Sequence, residues 1–339
     1  MALKWLPLLF ATALTACAHV DAPPATADAY SVHARYALPG AGRWDLLAVD
    51  ARGDLFVSRG DRVQVMDKDG QLIGTVADTQ GVHGIAIAPD IARGFATNGR
   101  PNTVTEFDLA TFRTIREIPV SGKSPDAVLY SPDTKRLFVF NAHSNNASVI
   151  DPASGKEVAM ISFDGNPELA ASDEHGHIFV NIEDKAQLVV FDANTLQVLH
   201  TWPLDRCDGP TGLALDAAHA RVFSTCQNGI LVVTDPDNGR QVATAPIGEG
   251  PDGAAFDPQS MNVFVPAGKS GTLTVVHEDD PDHYQLRQTI ETEKSARTIA
   301  LDPLLHRLYL PAARFGPPPK DPEQRPEMLP DSFHVLAVW

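Results

Sequence analysis

Three cysteines among 339 residues are too few for a disulfide-built scaffold. None lies in a CxxCH, so covalent c-type haem has no attachment site. No GxxxxGKS or GxxxxGKT loop is present to cradle a nucleotide, and no GxSxG elbow to present a serine nucleophile. Positive charge is scarce: 27 Lys and Arg stand against 43 Asp and Glu, a net charge of −16. So acidic a chain argues against a nucleic-acid partner. Helical periodicity is missing throughout, and no run after the N-terminal segment is apolar enough to span a bilayer.

Apolar residues make up 43% of the chain, enough for a sizeable core, and 27 prolines with 24 glycines imply many turns. The N-terminus reads as an address. Lys4 precedes an apolar run from Trp5 to Leu14, too short to span, which predicts a signal peptide over 1–16. Leu14-Thr15-Ala16-Cys17 matches the bacterial lipobox, in which Cys17 is acylated; a plain cut after a small residue is the other reading. Residues 17–29 read as the lipidated Cys and a Pro-rich tether. Ala18 after the Cys favours the outer membrane, by analogy with lipoprotein sorting in enteric bacteria. A soluble periplasmic or secreted protein is the alternative.

Self-similarity dominates residues 30–339. Asp45, His83, Asp126, Glu168, Thr211, Asp252 and Arg297 each precede a short apolar run (LLAVD, GIAIAP, AVLYSP, LAASD, GLALD, GAAFD, TIALD). Their spacings are 38, 43, 42, 43, 41 and 45 residues. Each run is followed by a second strand-like segment (LFVSR, GFATN, LFVFN, IFVNI, VFSTC, VFVPA, LYLPA), then a third, and a more polar fourth. Four short strands per repeat of this length predict an all-β fold, a seven-bladed β-propeller of four-stranded antiparallel blades. The repeats begin near residues 43, 82, 125, 167, 210, 251 and 296. The seventh lacks its fourth strand, and residues 30–38 alternate apolar and polar, so this N-terminal strand is expected to complete blade seven and close the ring. A Pro-rich insertion, 315–331, interrupts blade seven and reads as a lid, a docking arm or a surface excursion.

These repeats resemble the YVTN-type, or YncE-like, propeller family. Asn98 in GFATN and Asn141 in LFVFN stand where that family's Tyr-Val-Thr-Asn signature ends, while the other five blades depart from it. The segment Cys207-DGPTGLALD through Ser224-Thr225-Cys226-QNG is similar to a feature of one YncE-like subgroup. The resemblance implies the fold and little about function. It also implies single-stranded DNA binding, reported for some members, against which the charge and the lack of a basic aromatic groove both count.

Twelve aspartates fall in turns: Asp50, Asp90, Asp133, Asp173, Asp216, Asp257 and Asp302 after the first strand, Asp67, Asp108, Asp151, Asp192 and Asp235 after the third. Asp suits such places because its carboxylate accepts nearby backbone N–H groups. In a propeller the first strands line the channel, so their starts form a ring: Asp45, His83, Asp126, Glu168, Thr211, Asp252, Arg297. Arg297 is expected to satisfy Asp252 and Asp45, leaving His83, Asp126 and Glu168 on consecutive blades as catalytic or divalent-metal candidates (Ca, Mg or Zn) or as a water-bridged channel mouth. Arg100, His143, Asn145, Glu183, Lys269 and Arg314, from loops on the same face, extend the binding face. Cys207 and Cys226 are expected to form a disulfide in an oxidising compartment. His277-EDDPD-His283 reads as a solvated acidic turn, since its spacing matches no Ca²⁺ loop. The ring's single His rules out a multi-His copper cluster, and three tryptophans in the propeller are too few for a pyrroloquinoline dock repeated in many blades.

Two functions fit. One is a monomeric, periplasm-facing lipoprotein, held to the membrane through Cys17, whose propeller is a binding platform for a protein, peptide or envelope glycan. The other is a metal-assisted enzyme, lactonase- or lyase-like, using the ring acids.

Overall fold

The computed structural model describes residues 29–321 and 324–339. The signal peptide, Cys17 and most of the tether lie outside the described residues. Seven four-stranded antiparallel sheets succeed one another along the chain. Blade one is typical: Leu47–Val49, Leu55–Arg59, Arg62–Met66 and Leu72–Val76, hydrogen-bonded in that order. Among the described residues the only helical pieces are two 3₁₀ turns, Pro89–Ile91 and Glu183–Lys185.

Burial grades outward across each blade. Second and third strands are covered on both faces, which is why they read as unbroken apolar runs; Leu55–Arg59 and Arg221–Cys226 are buried at every residue. Fourth strands form the rim and leave alternate residues in water, as in Lys156–Ser162. First strands of neighbouring blades touch all the way round, blade seven against blade one included. Seven apolar clusters fill the seven seams, each drawn from two adjacent blades. Phe138 meets Phe191 across the seam of blades three and four with ring centroids 5.5 Å apart. A buried Phe of this kind costs about 3–5 kcal/mol to truncate, so the seams carry the stability of the ring.

The closure falls where the sequence places it. Val32–Ala37 pairs with His334–Val338 from Val32 opposite Val338 to Ala37 opposite His334, supplying the fourth strand of blade seven. The turn aspartates serve the backbone: Asp192 Oδ1 accepts from the N–H of Asn194 at 2.8 Å and of Thr195 at 2.7 Å, and Asp173 Oδ1 from His175 and His177. Asn98 and Asn141 are wholly buried and tie the second strand to the third, Asn98 through Thr103 and Thr105, Asn141 through Asn146 and Ser148. Cys207 and Cys226 are bonded, with Cα atoms 5.3 Å apart.

Candidate functional site at the channel mouth

The ring residues are displayed by an irregularity repeated in the first strands. In blades two to five, pairing with the second strand slips between Val82 and Ile85, Pro125 and Val128, Pro167 and Ala170, and Pro210 and Leu213. His83, Asp126, Glu168 and Thr211 fall inside these slips. A bulge takes a residue off the ladder and re-aims its side chain. In blades one, six and seven the ring residue precedes a first strand of only three residues. Freed backbone groups are satisfied between blades: Thr97 Oγ1 donates to Asp126 O at 2.6 Å, Thr298 Oγ1 to Asp45 O at 2.8 Å, and Thr211 Oγ1 to Pro251 O at 2.9 Å. At Gly84 a Cβ would stand 2.5 Å from Asp126 O, so only glycine lets blades two and three approach this closely.

Five ring residues form one charged chain. His83 Nδ1 donates to Asp45 Oδ2 at 2.6 Å and lies 3.7 Å from Asp126 Oδ1. Arg297 Nε donates to Asp252 Oδ2 at 2.6 Å and Nη2 to Asp45 Oδ1 at 3.3 Å. Arg297 thus does bridge the two acids it was expected to satisfy. Glu168 sits apart: Asn166 Nδ2 reaches Glu168 Oε1 at 3.4 Å and Glu183 Oε2 at 3.0 Å. The three ligand-type groups that converge within 4.8 Å are Asp45, His83 and Asp126.

The channel shifts their ionisation. Burial, then the charges of Asp126 and Glu183, push Glu168 up to about 10, so its carboxyl is neutral at neutral pH. Burial and the Asp45 charge, opposed by His83, push Asp126 up to about 7. Burial and Asp45, opposed by Arg297, push Asp252 up to about 6. The hydrogen bond to Asp45 raises His83, against the effect of burial. Asp252, Arg297, Asp45, His83 and Asp126 form a row in which a cation alternates with acids, and Glu168 feels the charge at its Asp126 end.

Above this chain lies a cavity of about 470 Å³, lined by Asp45, His83, Arg43, Trp44, Arg100, Arg297, Phe315 and Arg325 among others. Four arginines therefore converge on one cavity of a strongly acidic chain. Arg43 is held: Nη2 donates to Pro326 O at 2.7 Å and its guanidinium lies 5.5 Å from the Phe315 ring. Burial, with the Arg325 and Arg297 charges beside it, lowers its pKa. Arg297 is committed to Asp45 and Asp252. Among the described residues, no hydrogen bond or ion pair engages the guanidinium of Arg100 or of Arg325. The wall is stiffened from below by Arg59, fully buried, which donates to Gly40 O and Gly42 O and lies 3.8 Å from the Phe333 ring.

The Pro-rich insertion supplies the far wall. Phe315 bridges to Met328, Gly316 N donates to Glu327 O at 2.8 Å, and Phe315 packs on Trp44. Of the predicted loop residues, Arg100 lines the cavity, Glu183 joins Glu168 and Asn166, and Arg314 lies in a neighbouring groove with Glu293 and Lys294. Asn145 occupies a left-handed turn whose carbonyl accepts from Phe163 N, a structural duty. His143 and Lys269 sit in equivalent loops, their backbone N–H groups bonded to Lys123 O and Glu249 O. Sequence reasoning missed Arg43, Trp44, Phe315 and Arg325. Arg43 and Trp44 directly precede a ring residue, which was a usable signal; nothing in the repeat pointed to Arg325.

Many solved chains share the architecture, the following two among them. A chain of the Kuenenia stuttgartiensis hydrazine synthase superposes with a TM-score of 0.70 at 19% identity, covering 82% of this chain and 94% of that one. A chain of the mitotic checkpoint complex does so with a TM-score of 0.73 at 13% identity, covering 96% and 98%. Likeness at these identities shows the propeller fold alone. No family model and no curated protein matches the chain.

Proposed function

We propose that this protein is an envelope-resident propeller, anchored through an acylated Cys17, that serves as a binding platform and holds a carboxylate-bearing glycan in its mouth cavity. The observation that carries the reading is the pair of unengaged guanidinium groups, Arg100 and Arg325, facing a cavity already bordered by Arg43 and Arg297. Guanidinium forks match carboxylates bidentately. In a chain of net charge −16, two exposed guanidinium groups with no acidic partner are the groups of this cavity open to an anion. Half-buried Phe315, backed by buried Trp44, adds an apolar edge to the cavity. Lipid anchoring and an oxidising compartment agree with the lipobox and with the Cys207–Cys226 bond. Asn98 and Asn141 support a kinship with YVTN-type propellers.

Titration calorimetry with an oligogalacturonate, a neutral oligosaccharide and an acidic peptide tests it. The uronate should bind, and Arg100→Ala should weaken it about tenfold, the worth of one charge-assisted pair of roughly 1.4 kcal/mol, while leaving Tm unchanged. Binding of the peptide alone would turn the platform towards a protein partner. Binding of none, or indifference to Arg100→Ala, would sink the anionic-ligand reading.

A second reading has its own support. Asp45, His83 and Asp126 offer donors within 4.8 Å of one another, enough for a divalent ion with open positions in a hydrolytic or eliminating enzyme. The short bond from His83 Nδ1 to Asp45 competes with such an ion. Stoichiometric metal that disappears in His83→Ala would favour this enzyme.

A further inference from the structure

The first strand of blade five, Pro210–Asp216, starts at the mouth and ends on the opposite face, in a turn that carries His219. The third strand of blade six, Thr272–Asp280, runs in beside that turn. There His219 Nδ1 lies 2.7 Å from Asp216 Oδ2 and 2.9 Å from Glu278 Oε1. Asp216 is 2% exposed and Glu278 1%. Asp216 Oδ2 and Glu278 Oε2 are both sealed from solvent; the imidazole is the one donor near Asp216 Oδ2, and Glu278 Oε2 has none. The near cation does not answer them: the Arg221 guanidinium donates to the carbonyls of Pro281, His219 and Ala220, and pairs with Asp235 and Asp282. Two buried carboxyl groups thus share one imidazole, and an unpaired buried charge is expensive.

We propose that Asp216, His219 and Glu278 form a binding site for a divalent transition-metal ion of the zinc class, which cross-links blade five to blade six. Each residue brings one donor atom, and the three donors lie within 4.8 Å of one another. One imidazole nitrogen with two carboxylates suits zinc; calcium and magnesium take oxygen donors. Tetrahedral bonds of about 2.0–2.2 Å set donors roughly 3.3 Å apart, so the cluster opens by about half an ångström as Nδ1 exchanges its proton for the ion. The His219 side chain is 39% exposed, which leaves an entry path and room for water as a fourth ligand. The site is independent of the mouth reading, since it lies at the other end of the blades.

The full chain, without a histidine tag and stripped with chelator, is titrated with zinc and its metal content read by mass spectrometry. One tightly bound ion is expected in the wild type and in His83→Ala. Affinity should fall at least about 100-fold in His219→Ala and in Glu278→Gln, since even outer-shell partners of a metal cost about 10–100-fold. Zinc should raise Tm in the wild type and fail to do so in both variants. His219→Ala takes away the imidazole that two buried carboxyl groups share, so its fold is checked first by circular dichroism; Glu278→Gln keeps the shape and the surrounding contacts. No zinc at micromolar concentration, equal binding in His219→Ala, or loss in His83→Ala instead would each overturn the site.

Discussion

His83 and His219 each stand between two carboxylates, at opposite ends of the blades. At the mouth the acids keep contact with channel water: the Asp45 side chain is 19% exposed and Asp126 26%. Arg297 shares Asp45 with the imidazole, so the mouth balances its charge from within. On the opposite face the two acids are sealed, and no arginine or lysine is paired with either among the described residues. The same combination of one imidazole and two carboxyl groups therefore ends in different states. The mouth has an internal cation for Asp45 and Asp252, and two further guanidinium groups without acidic partners border its cavity. The cluster at His219 is left with unanswered oxygens turned inward. What decides is a neighbouring cation and access to water, not the identity of the side chains.

The comparison can be broken most forcefully at blade five, which reaches both faces. Cys207→Ser with Cys226→Ser should lower unfolding free energy in urea by about 3 kcal/mol, the loop-entropy value for a bridge of this span. A loss well below 1 kcal/mol would mean that the mouth end of this blade is held by packing alone. Next comes Arg297→Ala. Removing one partner of a buried ion pair costs roughly 3–5 kcal/mol; Arg297 is a third exposed and screened, so about 2 kcal/mol is expected in the same measurement. No loss would mean that channel water, not Arg297, balances Asp45 and Asp252.

A third test uses pH. Asp126, Glu168 and Asp252 keep protons in the folded state that the unfolded chain has released above about pH 4. A folded state that binds the extra protons loses stability as pH rises, for Asp126 across the interval from about 4 to about 7. His83, raised by Asp45, acts in the same sense: its contribution is complete below its unfolded value and fades as pH rises through the folded one. Tm should therefore decline between about pH 5 and about pH 8, and Asp126→Asn should flatten the decline. A Tm that is flat in both proteins would contradict the raised carboxyl groups.

Blade number, strand order and the closing strand were legible because the repeat prints itself in the chain: a ring residue, an apolar run, a turn aspartate. Arg297 between Asp252 and Asp45 was legible for the same reason, since blades six, seven and one are neighbours. The partner of His83 was not. Three consecutive blades suggested His83, Asp126 and Glu168, whereas the imidazole turns to blade one and Asp45, and Glu168 turns to Glu183 on its own blade. Repeat spacing gives the order of residues round a ring but not the rotamer of any one of them. Glu278 was read as part of a solvated turn, yet the strand runs on through it. Thr274, Val276 and Glu278 alternate on one face, and Val276 belongs to the seam between blades five and six, so the carboxyl is carried inward with them.

The pairing of Val32–Ala37 with His334–Val338 joins the two ends of the described chain. During synthesis the N-terminal strand emerges first and its partner last, so blade seven cannot assemble until nearly all of the chain is available. Contacts this distant in sequence are the slowest to form. Six blades can stack as they appear, one on the next, while a lone strand waits with its backbone unpaired. Until that closure both partner strands present unpaired edges, the kind of surface that a chaperone, a protease or another copy of the chain can take.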